Sequence, residues 1–318
     1  MAVRLVVDDL RAFRAIDPRL DVSNGWQDVD GITVMCWAQA LNISPGDLVI
    51  EAFAVNLPTA YVDDMATKVS QPVWLNLEYL SAESWVGTHH LLPSPHPNLL
   101  LTKYFFFPGF TPDTGGLIRE RDLLNARDIF ISANVTNCFR VFLFGYPNAA
   151  SDNLINAIIE SGTGVQCTVP DGALAETLKK NPAVTTIQFA PQQDFDRLLW
   201  QHDVLFVRGE DSFVRAQWAG MPFIWQIYPQ SENTHLVKLN AFLALYCEEL
   251  EHEAAAALRE LWRAWNAEDS IHIAAAWRQF MAHLPAMRAH AKAWSRKLAE
   301  MPDLAANLLS FYQKTTKI

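Results

Sequence analysis

A chain of 318 residues, 50% hydrophobic and 19% charged, is long enough for two folded domains and is composed like a globular protein, which excludes disordered and fibrous classes. Its formal net charge of -10 argues against a broad nucleic-acid surface. Cys36, Cys138, Cys167 and Cys247 show no paired spacing, and no apolar run or leader pattern points to a membrane; reduced thiols, a cytoplasmic location and no membrane partner are expected.

Along the chain, short β-branched runs at 3–7, 32–37, 48–51 and 73–77 alternate with helical spacing, the rhythm of a parallel sheet. A proline-studded stretch at 91–98 and an aromatic one at 103–116 follow. Loop structure with a functional or interdomain role is expected there. A second series then begins. Strand-like runs at 141–144, 164–169, 185–189, 204–207 and 223–227 are separated by helical patterns at 151–161, 172–179, 193–201 and 212–219, and from about His235 the pattern is helical to the end. Two Rossmann-like α/β halves with a helical tail are predicted.

Several chemistries lose support at once. Ser161-Gly162-Thr163-Gly164 lacks the third glycine of a dinucleotide fingerprint and precedes a strand, so it reads as a turn; there is no P-loop and no HExxH. His89, His90 and His96 lie in a proline-rich loop without the carboxylate spacing of a metal site. No metal and no cofactor are expected.

The run Phe206 to Gly220 is more informative, because Arg208, Glu210, Asp211 and Ser212 stand directly behind an apolar strand. Ligands of open α/β sheets bind beyond the carboxyl ends of strands, where a helix beginning there offers free N–H groups to an anion. Asp211 and Ser212 suit an N-cap, and Arg208 on the turn could grip a diphosphate with two parallel bonds. Taken alone, an internal ion pair of Arg208 with Glu210 or Asp211 explains the run more simply.

Two further segments end at the same predicted edge, 143–147 with Phe144 and Tyr146, and 189–195 with Phe189, Gln192 and Phe195. Rings to stack on, an amide for a base edge and an anion cradle together suit a nucleotide. Phe189 and Phe195 are the stacking candidates and Gln192 the base reader, against the plainer view of Phe144 and Phe189 as core and of Tyr146 and Gln192 as polar loop residues. The segment 227–239 repeats the design one strand later, with Tyr228-Pro229-Gln230 before a polar helix start.

The strings Val-Ile-Glu-Ala-Phe-Ala (49–54), Asn-Leu-Glu-Tyr-Leu-Ser-Ala-Glu-Ser-Trp (76–85), Leu-Pro-Ser-Pro-His-Pro (92–97), Lys-Tyr-Phe-Phe-Phe-Pro-Gly-Phe-Thr-Pro (103–112), Arg-Gly-Glu-Asp-Ser-Phe-Val-Arg-Ala-Gln-Trp-Ala-Gly (208–220) and Tyr-Pro-Gln (228–230) resemble the EarP family of bacterial protein-arginine rhamnosyltransferases. The resemblance runs over nearly the whole chain. It implies a GT-B fold, two Rossmann-like domains facing a cleft, and inverting transfer of L-rhamnose from dTDP-β-L-rhamnose to an arginine of translation elongation factor P. Residues 1–136 would form the acceptor-binding domain, 137–300 the nucleotide-sugar domain, and 301–318 a helix packing back towards the first. Carried over by motif, Phe189, Gln192 and Phe195 would surround the thymine with Phe144 and Tyr146 nearby. Arg208, Asp211 and Ser212 would sit at the ribose and diphosphate, Tyr228 would help hold the diphosphate, and Glu210 would lie at the catalytic centre. The loop Gly109-Phe110-Thr111 would face the cleft from the first domain.

The family opens with a strand and a loop of the form Asp-Asn-x-Gly-Asp-Ile-Gly that carries the aspartate assigned as general base, and this sequence contains no such string. Met1 aligns just before the family's second strand, so the first domain is expected to lack its first strand-loop-helix unit. Most of the transfer activity is expected to be lost with it, since guanidinium is a weak, protonated nucleophile. The rival expectations are a non-catalytic protein that binds the dTDP-sugar or the elongation factor, and a small-molecule glycosyltransferase.

Overall fold

Runs of alternating and fully apolar residues become three sheets in the computed structural model, which describes residues 2–14, 16–53, 55–162, 164–230, 232 and 234–316. By compactness the chain divides into two units: Met1–Tyr79 with His89–Pro108 and Leu308–Ile318, and Leu80–Thr88 with Gly109–Asn307.

In the first unit β1 (Val3–Val7) is followed by a hairpin of β2 (Trp26–Val29) and β3 (Ile32–Cys36). Asp30 and Gly31 both have positive φ at its turn, 52° and 79°, the backbone that a tight two-residue hairpin requires. β3 is the centre strand, parallel to β1 and antiparallel to β2. The second sheet contains β4 (Leu48–Ala52), β5 (Val73–Leu77), β6 (Pro93–Pro95) and β7 (Thr102–Phe106) in the order β4-β5-β7-β6. Only β6 runs antiparallel; its two prolines are tolerated because it lies at the sheet edge. The aromatic stretch expected as loop from 103 is therefore strand as far as Phe106. Two small apolar clusters, around Met65 and Trp74 and around Leu10 and Leu20, support these sheets.

The second unit contains β8 (Arg140–Leu143), β9 (Gln166–Pro170), β10 (Val184–Ile187), β11 (Val204–Arg208) and β12 (Phe223–Gln226). All pairings are parallel and the order is β10-β9-β8-β11-β12. Counted from β8 this is 3-2-1-4-5, the doubly wound order whose direction reverses between β8 and β11. Val204 to Val207 of β11 are completely buried, which explains why that strand reads as an unbroken apolar run. Helices Ser151–Glu160, Ala173–Leu178, Gln192–Trp200 and Asp211–Ala219 make the crossovers. Helices Thr234–Tyr246, His252–Asn266, Ile273–Ala282 and Leu284–Ala299 add a large aromatic core with Trp262, Trp265 and Trp277 fully enclosed.

Residues 109–136, expected with the first domain, group with the second unit for a clear reason. Phe110 is only 5% exposed and packs on Phe213, Phe242 and Trp294, so the loop 109–111 contributes a core side chain to the second unit. Phe130 of helix Leu123–Ala133 meets Trp200 at 5.7 Å. Buried Arg215 also binds Asp196, with Nε to Oδ1 at 2.7 Å, and Glu120 from Nη1 at 2.8 Å. Removing one member of such a buried pair strands its partner. Arg215→Ala is expected to lower the unfolding free energy by about 3 kcal/mol in urea denaturation.

Candidate active site

The switch point of the second unit is where the sequence-predicted residues meet. β8 runs out into Phe144, Gly145 and Tyr146, β10 leads to Phe189 and Ala190, and β11 delivers Arg208, Gly209 and Glu210 to the start of helix Asp211–Ala219. They enclose a cavity of about 340 Å³ lined by Phe144, Tyr146, Phe189, Ala190, Gln192, Phe195 and Arg208 to Ser212. Nine of the ten candidate residues line it. Tyr228, past the end of β12 and 63% exposed, does not; its ring stands edge-on to Tyr146 at 5.6 Å. In the loop after Tyr228, Ser231 and Asn233 lie outside the described residues.

The aromatic wall is graded in burial. Phe195 is 6% exposed and rests edge-on against Phe144 at 5.8 Å, whereas Phe189 is 59% exposed and 5.9 Å from Phe144. β10 stops at Ile187, earlier than the run 185–189 suggests, and this places Phe189 in the loop as an open ring face. Gln192 donates from Nε2 to Asp211 Oδ2 at 3.0 Å, so the two are held in register across the cavity.

The anion end differs from the sequence expectation in detail. Among the described residues Arg208 forms no ion pair with Glu210 or Asp211; its guanidinium lies 4.6 Å from the Phe144 ring centre and 4.7 Å from that of Tyr146. It remains a cation held over two ring faces. Glu210, not Asp211 or Ser212, occupies the N-cap position, and it makes no capping bond. Ser212 Oγ instead accepts from the Arg208 N–H at 3.2 Å and donates to the Arg208 carbonyl. Gly209 has φ 67°, so this turn suits a residue without Cβ. The first N–H groups of the helix lack intrahelical acceptors, as in any helix, and point at the cavity end.

Glu210 is mostly enclosed, and its Oε2 accepts the Leu80 N–H at 3.2 Å. Burial raises its pKa above the ordinary carboxylate value, opposed by that bond and by the charge of Lys238. Burial also raises the Tyr146 phenol, with Arg208 acting against it, so Tyr146 stays a neutral hydrogen-bonding group near neutral pH.

Two contributors went unseen in the sequence. Buried Gln226 accepts the Tyr146 N–H on Oε1 at 2.7 Å and the Gly209 N–H on its carbonyl at 3.4 Å, joining the aromatic loop to the anion turn. Trp225 Nε1 donates to the Gly209 carbonyl at 2.6 Å. The available signal was a lone amide closing the apolar run Phe223-Ile224-Trp225. The histidines of the proline-rich loop brace backbone: His96 Nδ1 accepts from Leu99 N–H at 3.1 Å and His90 Nδ1 from Phe107 N–H at 3.1 Å. Among the described residues no cluster of His, Cys, Asp or Glu suits a metal ion, and no helix is long and apolar enough to cross a membrane.

The α/β fold of the two units, one of them doubly wound with this cavity at its switch point, is that of the GT-B class of glycosyltransferases. A sequence model described as Elongation-Factor P (EF-P) rhamnosyltransferase EarP matches residues 1–313, and the chain belongs to that family. Similar proteins include the protein-arginine rhamnosyltransferase of Pseudomonas putida, 44% identical over an alignment that covers 99% of this chain and 91% of the relative. That of Pseudomonas aeruginosa is 41% identical, covering 98% and 90%. A solved structure described as the structural basis for EarP-mediated arginine glycosylation of translation elongation factor EF-P shares 30% identity and a TM-score of 0.61, covering 98% of each chain.

Proposed function

We propose that this chain transfers L-rhamnose from dTDP-β-L-rhamnose to an arginine side chain of translation elongation factor P, in the cytoplasm where that factor works. The observation that carries the proposal is the cavity itself: an open ring face, an amide, a guanidinium and a helix N-terminus converge at one switch point. Phe189 offers the stacking face for thymine with Phe195 as the wall behind it, and Gln192 reads the base edge. Arg208 and the N–H groups of helix Asp211–Ala219 meet the diphosphate, with Asp211 and Ser212 towards the ribose and Tyr228 closing on the phosphates.

In the reaction an arginine nitrogen attacks the anomeric carbon from the face opposite the diphosphate, the bond from that carbon to the diphosphate oxygen breaks, and the configuration inverts. The nitrogen's proton must leave, and the positive charge must be localised away from the attacking atom. In place of the aspartate that the resemblance assigns as general base, Glu210 is the carboxylate proposed for this work from the donor side, and burial raises its pKa above the ordinary carboxylate value. The leaving diphosphate is stabilised by Arg208 and the helix N-terminus; the proposal invokes no cofactor.

The test is to incubate the protein with dTDP-β-L-rhamnose and unmodified elongation factor P and to look by mass spectrometry for a deoxyhexose on arginine. Its appearance is the expected result, formed slowly because the aspartate that the resemblance assigns as general base has no counterpart in this sequence. Donor binding without product would replace this proposal with that of a binding protein.

A further inference from the structure

Gln192 opens helix Gln192–Trp200 and Asp211 opens helix Asp211–Ala219, so two helix starts bring an amide and a carboxylate into the lining of the donor cavity. Three residues on from Gln192, and so on the same helix face, Phe195 is the buried wall that rests against Phe144. The amide therefore borders the rings on which a base would stack. Its orientation is not free. Gln192 Nε2 lies 3.0 Å from Asp211 Oδ2, and a carboxylate has lone pairs but no proton to give. An amide turned the other way would set Oε1 against that carboxylate, one acceptor facing another. The nitrogen must point at Asp211, which leaves Oε1 and the second amide N–H for a ligand.

We propose that Asp211 is a positioning residue that fixes the polarity of the Gln192 amide, and that the fixed amide selects a pyrimidine with a ring N–H beside a carbonyl, as in thymine and uracil, over cytosine. The inference rests on the nucleotide-sugar site proposed above and adds what decides its base. Oε1 accepts the ring N–H, and the second amide N–H donates to the neighbouring carbonyl. Cytosine reverses both groups, with a ring nitrogen acceptor beside an amino donor, so both contacts turn repulsive and polar groups of the site stay unpaired. A site built on such bonds rejects the mismatched ligand more strongly than an apolar wall does. The rings cannot make this distinction, since every base has a face to stack.

Calorimetric titration with dUDP and dCDP tests the lock, because the two differ only at that ring nitrogen and the group beside it; dTDP is titrated alongside. The unaltered chain is expected to bind dUDP about 30-fold more tightly than dCDP, the cost of leaving polar groups unpaired. Asp211→Asn keeps the size and the helix start, but its amide can donate or accept. Either orientation of Gln192 is then served, and the preference should shrink about tenfold, mainly through tighter dCDP binding. A residue that only shaped the turn, or whose charge only opposed the diphosphate, would shift both nucleotides alike and leave the ratio unchanged. Gln192→Ala, at an exposed position, should remove the preference by weakening dUDP. An unchanged ratio in either variant, or no preference in an unaltered chain that binds dTDP, would overturn the lock and leave the transfer reaction standing. Failure of the unaltered chain to bind dTDP would overturn both.

Discussion

Arg208→Ala is expected to weaken dTDP binding about 100-fold in calorimetry, and Arg208→Lys to recover only part of it. The size follows from what the guanidinium does in the proposed site. Charge-assisted bonds to a diphosphate contribute about 1.5–3 kcal/mol when made in a partly enclosed site, and the bidentate geometry belongs to arginine and not to lysine. The side chain is also held in place before ligand arrives, over Phe144 at 4.6 Å and Tyr146 at 4.7 Å, which lowers the ordering cost on binding. Its loss should leave the fold intact, because β11 is secured by Val204 to Val207 in the core. Unchanged affinity would remove Arg208 from the donor site and with it the main support for a diphosphate at this turn.

The same residue shows what the sequence could and could not reveal. The doubly wound half was legible because its strands are short apolar runs punctuated by helix starts, and each predicted strand overlaps one in the sheet. The first half was harder. β2 was missed although Asp30-Gly31 before Ile32 is a hairpin signal, because Trp26-Gln27-Asp28-Val29 is too short and polar to read as strand by periodicity alone. β7 was read as loop because its neighbours are rich in proline, yet those prolines stand on β6 at the sheet edge and after β7. In the cavity, residue types and order pointed to nine lining residues, while the partner of Arg208 did not follow from the chain. An ion pair with an acidic neighbour two or three positions away was the simple expectation, and the tertiary structure supplied two rings from another strand end. Gln226 went unseen for the same reason: its side chain bonds Tyr146, 80 residues away along the chain.

Glu210→Gln is expected to lower kcat by about 100-fold or more while raising the melting temperature at neutral pH. The first effect is that of removing a positioned proton acceptor, typically 10² to 10⁴ in rate. The second follows from burial, the largest influence on this carboxyl. Enclosure penalises the charged form, so the folded state holds the proton more tightly than the unfolded chain does. Between the unfolded glutamate pKa of about 4.3 and the higher folded value, the folded state binds more protons, and stability falls as pH rises through that window. Glutamine carries no such penalty, yet its carbonyl still accepts the Leu80 N–H that Glu210 Oε2 accepts at 3.2 Å. The gain in melting temperature should therefore be present above the folded pKa and shrink towards zero as pH approaches 4.3. Thermal melts of both proteins across that range, paired with initial rates at saturating donor, separate the two contributions. Wild-type turnover in the glutamine variant would remove Glu210 from catalysis. A variant that loses turnover and is also less stable at every pH would mean that the attractions of the charged carboxylate to the Leu80 N–H and Lys238, and not burial, dominate at this group.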